Sequence, residues 1–127
     1  MPSSFQTHAS QSYLIIARSS PYVSQQARAA LDIALTAAAF EQTVSIVFMD
    51  AGLMQLLKGQ QADAADMKNI GKIITALKLY EVNRILVHQE SVDKHNLDPA
   101  EFVEAVEVVT GDEIKGLIAA ADQVMVF

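Results

Sequence analysis

The sequence predicts an α/β fold, a three-layer α/β/α sandwich around a five-stranded, mostly parallel sheet. Three observations carry this. Short apolar runs of strand length alternate with stretches of helical period along the whole chain. The run from Val44 to Met49 is apolar at nearly every position, the pattern of a strand buried on both faces. At 127 residues the chain is long enough for one domain with a real core.

The elements follow in order. Residues 1–12 read as a flexible lead, and residues 13–127 as one domain. Tyr13 to Ala17 is the first strand. Pro21 breaks the following Arg18-Ser19-Ser20-Pro21-Tyr22 turn. Ser24 is placed to cap a helix running to about Phe40, with Ala27, Leu31, Ala34, Leu35 and Ala38 on one stripe. Val44 to Met49 is the second strand. Asp50-Ala51-Gly52 then leads into a short helical segment, Leu53 to Leu57, which Gly59 is placed to end. Met67 to Tyr80 reads as a helix with Ile70, Ile73, Ile74, Leu77 and Tyr80 inward. Arg84 to His88 is strand three. Asp98-Pro99-Ala100-Glu101 has capping-box spacing with proline at the first helical position. Ala105 to Val109 is strand four. Thr110-Gly111-Asp112-Glu113 repeats the capping spacing and opens a helix with Ile114, Leu117, Ile118 and Ala121 inward. Gln123 to Phe127 is the last strand.

Composition narrows the chemistry. The chain has no cysteine, which removes disulfides, thiolate metal ligands and redox dithiols. Hydrophobic residues make up 51%, high for a small domain and suited to burial against other chains. No apolar run approaches the roughly 18–20 residues that span a bilayer, and no signal-peptide pattern opens the sequence. A cytoplasmic protein without membrane association is expected. Net charge is −6, with the acids concentrated after Glu81. No basic stripe is visible, so direct nucleic-acid binding is not expected. The acidic half reads as a solvated face or as a docking face for a basic partner.

The first strand-to-helix turn has no glycine, and no GxxxxGK[ST] occurs, which argues against a nucleotide cofactor. The three histidines show no metal-ligand spacing. No cofactor is expected. Ser19, Asp50 and His88 all fall at the carboxyl edge of the sheet, where open α/β folds place their sites. They could form a hydrolytic constellation, although Ser19 lacks the GxSxG context of a nucleophile elbow. The alternative reading has His88 closing a strand and Asp50 capping the helix at Leu53. Gly52 shapes the same turn. Leu53, Met54 and Leu57 are candidates for packing against another subunit.

Three segments together carry a family resemblance: SSPYVSQQARAALDIAL from Ser19, AAFEQTVSIVFMDAGLMQLLKGQ from Ala38, and LYEVNRILVHQESV from Leu79 with NLDP at Asn96 to Pro99. The chain resembles the DsrE/DsrF-like superfamily, in its TusC/DsrF branch, over Tyr13 to Phe127. Many relatives carry an acid where this chain has Ala51, and a glycine near Val23. The resemblance implies a cytoplasmic, non-catalytic subunit of a sulfur-relay heterohexamer. It implies TusD/DsrE-like and TusB/DsrH-like sister subunits, with carriers such as TusA and TusE as further partners. The implied process is 2-thiolation of tRNA wobble uridine or, in the Dsr system, sulfur oxidation. The relayed persulfide would sit on a cysteine of the TusD/DsrE-like sister, after its third strand, near the position that His88 holds here. A chain without cysteine cannot carry a persulfide, because that chemistry needs a thiolate. A free-standing enzyme using Ser19, Asp50 and His88, and a homo-oligomeric binding module, are the readings from other classes.

Overall fold

A computed structural model describes residues 11–20, 25–57, 73–102 and 106–127. Five strands, β1 (Ser12–Ala17), β2 (Thr43–Phe48), β3 (Arg84–His88), β4 (Glu107–Val109) and β5 (Gln123–Val126), form one sheet in the order β4-β3-β2-β1-β5. Every pairing is parallel. Between the strands lie helices α1 (Gln26–Ala39), α2 (residues 73–79), α3 (Gln89–Lys94) and α4 (Gly111–Ala120), with 3-10 turns at Asp50–Leu56 and Pro99–Glu101. The strands lie within two residues of their expected bounds. β4 is described only from Glu107, since residues 103–105 lie outside the described set.

The two sides of the sheet are covered unequally. On one side Ile15, Val44, Ile46, Phe48, Ile85 and Val87 pack with Leu31 and Ala34 of α1, Ile74 and Leu77 of α2, Leu53 and Leu56 of the 3-10 turn, and Val92 of α3. On the other, Leu14, Ile16, Val47, Leu86 and Val109 meet Ile114, Leu117 and Ala121 of α4. Among the described residues α4 is the helix that covers this second face. The alanines of α1 explain its close seat on the sheet: Ala27, Ala30 and Ala34 are buried and add no bulk. Two residues expected inward point out instead. Ile118 is 41% exposed, and Tyr80, one residue past α2, is 57% exposed. Tyr80 lies where the helix has already ended, so its direction no longer follows the helical period.

Three helices end in the same way. Glu41, Glu81 and Asn96 take positive φ of 62°, 64° and 52°. After α1, Gln42 N–H reaches Ala37 O and Glu41 N–H reaches Ala38 O. After α2, Val82 bonds Leu77 and Glu81 bonds Lys78; after α3, Leu97 bonds Val92 and Asn96 bonds Asp93. This is the Schellman pattern, normally built on glycine. Each joint turns a helix back toward the sheet or its flank, and Val82 and Leu97 close it by packing on the core. Capping at the other ends follows the sequence where it can be read. Thr110 and Glu113 form a full capping box, and Asp98 accepts from Ala100 N–H. Ser24, Gly59 and residues 67–72 lie outside the described residues; α1 has Gln25 at its N-cap position with no side-chain cap.

Candidate functional site

The carboxyl ends of all five strands meet along one edge, and a connected set of polar groups crosses it. Arg18, just past β1, donates from its backbone N–H to Phe127 O at 2.7 Å, which ties in β5. Its Nε donates to Asp50 Oδ2 at 2.8 Å, which ties in β2. Asp50 N–H donates to Ser91 Oγ at 3.0 Å. Ser91 Oγ lies 2.6 Å from His88 Nδ1, which brings in β3 and α3. His88 Nε2 lies 3.3 Å from Glu90 Oε1. The Glu90 carboxylate then accepts the Gly111 N–H at 3.1 and 3.2 Å, at the start of α4.

The directions of these bonds are consistent with one another. Ser91 Oγ accepts from Asp50, so its own proton is available to His88 Nδ1. That places the imidazole proton on Nε2, facing Glu90, and every donor in the chain is satisfied. Ser91 is 3% exposed and the His88 side chain 15%. The outer pair is different: Arg18 and Asp50 side chains are 56% and 43% exposed, so their ion pair contributes little to stability.

Asp50 is not a helix cap. The N-cap position of the 3-10 turn belongs to Met49, with no side-chain bond. Asp50 itself takes φ 52°, a left-handed conformation that aspartate tolerates better than most residues. Its carboxylate turns to Arg18 rather than to the turn's free N–H groups. Gly52 follows, with its N–H on Met49 O at 2.9 Å. A Cβ at Gly52 would overlap the carbonyl oxygen of Ala17, so this glycine lets the turn press against the exit of β1.

The other expected site residues are placed as follows. Ser19 contributes its carbonyl, which accepts from Gln55 Nε2 at 3.2 Å. Among the described residues no hydrogen bond joins the side chains of Ser19, Asp50 and His88 to one another. The serine that does touch His88 is Ser91, and it is buried where no substrate reaches it. Leu53 is fully buried in the chain's own core, so it offers no surface to a partner; the 3-10 turn points it under β1 and β2. Met54 and Leu57 are half-buried, and Leu57 forms a β-bridge with Phe102. Among the described residues no group of three or more histidine or acidic side chains could hold a metal, and no helix is long and apolar enough to cross a membrane.

Ser91, Glu90, Arg18 and Gln55 were not singled out by the sequence. His88 and Ser91 had a visible signal: H-x-x-S at the start of a helix puts both side chains on one side of a turn. The Arg18–Asp50 pair had none, because it depends on the β1–β2 register that sets Ala17 beside Phe48. Gln55 is 2% exposed, and its Oε1 has no partner among the described residues. An orphaned buried acceptor costs about 1–3 kcal/mol.

The Glu90 carboxyl is held below its ordinary range, first by its own backbone N–H, then by that of Gly111, with His88 adding to both. A carboxyl depressed in the folded state stabilises the fold above the ordinary carboxylate range and ceases to do so as pH falls through the depressed value. Titration followed by NMR is therefore expected to put the Glu90 midpoint below that of an unpaired glutamate. Over the same acid window, hydrogen exchange at Gly111 N–H should speed up. Glu90→Gln should remove that pH dependence.

Comparison with known proteins agrees with this architecture. Residues 11–127 match the DsrE/DsrF-like family. A TusC homolog from Pseudomonas aeruginosa is 36% identical over 116 residues, covering 91% of this chain and 98% of that protein. The intracellular sulfur oxidation protein DsrF of Allochromatium vinosum is 32% identical over 116 residues, covering 90% and 85%. Among solved structures, the ychN protein of E. coli superposes with a TM-score of 0.75 at 21% identity, over 92% of this chain and 99% of that one. A protein of unknown function from Methanobacterium thermoautotrophicum superposes at 0.65 and 10% identity, over the same shares. These two structures speak to the fold alone. With a family match across the domain and relatives named TusC homolog and DsrF, the chain belongs to the DsrE/DsrF-like family, in its TusC/DsrF branch.

Proposed function

We propose that this chain is a non-catalytic subunit of a cytoplasmic sulfur-relay complex that supports 2-thiolation of the wobble uridine in tRNA. The observation that carries the proposal is the lack of any cysteine in a chain whose whole domain matches this family. Relaying sulfur as a persulfide requires a thiolate nucleophile, so the sulfur must travel on another chain. The edge network supports the same division of labour. Its imidazole and hydroxyl are engaged with Glu90, Ser91 and Asp50 rather than turned to a substrate. In this reading TusD/DsrE-like and TusB/DsrH-like sisters complete a heterohexamer, and carriers of the TusA and TusE kind deliver and accept the sulfur. The chain's contribution is to hold the cysteine-bearing sister in place.

The 32% identity to DsrF favours a second reading, a subunit serving sulfur oxidation in a DsrEFH-type complex. One experiment separates the two. Deleting the gene and quantifying wobble 2-thiouridine by mass spectrometry should show its loss under the first reading. Full retention of the modified base overturns it, and retention together with lost oxidation of stored sulfur supports the second.

A further inference from the structure

The two edges of the sheet differ in chemistry. At the β4 edge the strand has three residues, and Glu107 is held by Arg84 through bonds of 3.0 and 2.8 Å. Short, charged edges resist the addition of another strand. The β5 edge has neither protection: Gln123 to Phe127 carries no ionisable side chain.

The backbone of β5 can be read residue by residue. Phe127 N–H donates to Ile16 O at 2.9 Å, and Phe127 O accepts from Arg18 N–H at 2.7 Å. In a parallel ladder the N–H and C=O of successive residues turn to opposite sides. Gln123 and Met125 therefore face β1 as Phe127 does, while Val124 and Val126 direct their N–H and C=O outward. The same two side chains are 38% and 58% exposed on the face that α4 covers. Unpaired backbone and uncovered apolar surface thus coincide. The surroundings allow close approach. Gly116 on α4 has nothing within 4 Å of a Cβ position, and Ala119 and Ala120 are exposed. On the other face of β5 an open groove of about 630 Å³, lined by Tyr13, Ile33, Ala37 and Met125, continues the apolar wall to Phe40, which is 73% exposed.

We propose that β5 pairs with β5 of a second copy of this chain, antiparallel about a two-fold axis, so that two five-stranded sheets become one. The pattern of charge selects this occupant. A two-fold contact sets each residue near its own counterpart, so any charge on the strand would meet a like charge across the ladder. β5 has none. The same operation at the other edge would bring Glu107 toward Glu107. Centring the pair on Met125 sets Val124 opposite Val126 of the second copy and satisfies all four outward groups on each strand. The pairing rests on the chemistry of this edge and not on the sulfur-relay reading, so either can fail without the other.

The test is the mass of the purified full chain across a concentration series by sedimentation equilibrium. A dimer is expected. Val126→Lys, at an exposed position, should weaken it by at least roughly tenfold, with an unchanged circular dichroism spectrum. Val108→Lys, equally exposed but on β4, should leave it intact. Val126→Pro removes only the outward N–H and should weaken the dimer as well. Because the chain has no cysteine, Val126→Cys carries a single nitroxide, and dipolar coupling between two copies is expected. A chain that stays monomeric throughout, a dimer indifferent to Val126→Lys and Val126→Pro, or a dimer without dipolar coupling overturns the proposal.

Discussion

Gly52→Ala is expected to destabilise the protein by about 3 kcal/mol. The cause is a contact between rigid parts. The added Cβ would overlap Ala17 O, and it also falls close to the Ala17 carbonyl carbon and the Arg18 Cα. No flexible side chain can swing aside there. Ala17 O is in addition the acceptor for Met49 N–H at 3.0 Å, which joins the exits of β1 and β2. Relief of the clash therefore stretches that joint and moves the turn carrying Asp50, whose N–H anchors Ser91. For a chain of this size the loss corresponds to a thermal midpoint lower by roughly 10 °C. Gly116→Ala is the matched control. Its Cβ meets nothing within 4 Å, and alanine in a helix interior is favoured over glycine by roughly 0.5–1 kcal/mol, so its midpoint should hold or rise. A Gly52→Ala midpoint equal to that of the unaltered chain would show that the turn has slack the packing does not suggest.

The contrast between these two glycines shows what a single sequence can reveal. Strand identity was legible because doubly buried strands are apolar at successive positions, and Ile46, Val47 and Phe48 are indeed all fully buried. Capping was legible at Thr110 and Asp98 because both partners lie within three residues. The helix ends at Glu41 and Glu81 were harder, since a Schellman turn normally advertises itself with glycine and here glutamate takes the left-handed position. The site was legible as a place and not as a set of contacts. Chain topology alone puts residues following β1, β2 and β3 on one edge. Which of them touch depends on register and rotamer. Asp50 turns to Arg18 because β1 and β2 run side by side, and His88 finds Ser91 because α3 starts at once after β3. Neither fact belongs to the composition of the motif. The same limit explains the misplaced leucine. An apolar residue beyond a strand can cover its own core or another chain's, and period alone does not distinguish these.

Leu53→Ala distinguishes them by experiment. The leucine is fully buried and packs within the cluster that includes Phe48, Leu56 and Ile74. Truncation removes its transfer free energy and leaves a cavity in a region pinned on one side by the Gly52 contact and on the other by the Leu57–Phe102 bridge. Neighbours held this way collapse poorly into the space, so the loss should be about 3 kcal/mol, near the middle of the range for such substitutions. Urea denaturation of the purified chain, with no other protein present, should show it as a midpoint lower by roughly 1–3 M. Ile118→Ala, at a side chain 41% exposed on α4, should stay within about 0.5 kcal/mol of the starting protein. The two variants then act in opposite directions on assembly and folding. If Leu53 instead served as an anchor between subunits, its truncation would leave the lone chain's midpoint unmoved and weaken only the complex. The burial of Leu53 argues that the damage appears before any partner is added, and that the contacts between chains are made by side chains such as Val126 that the fold leaves outside.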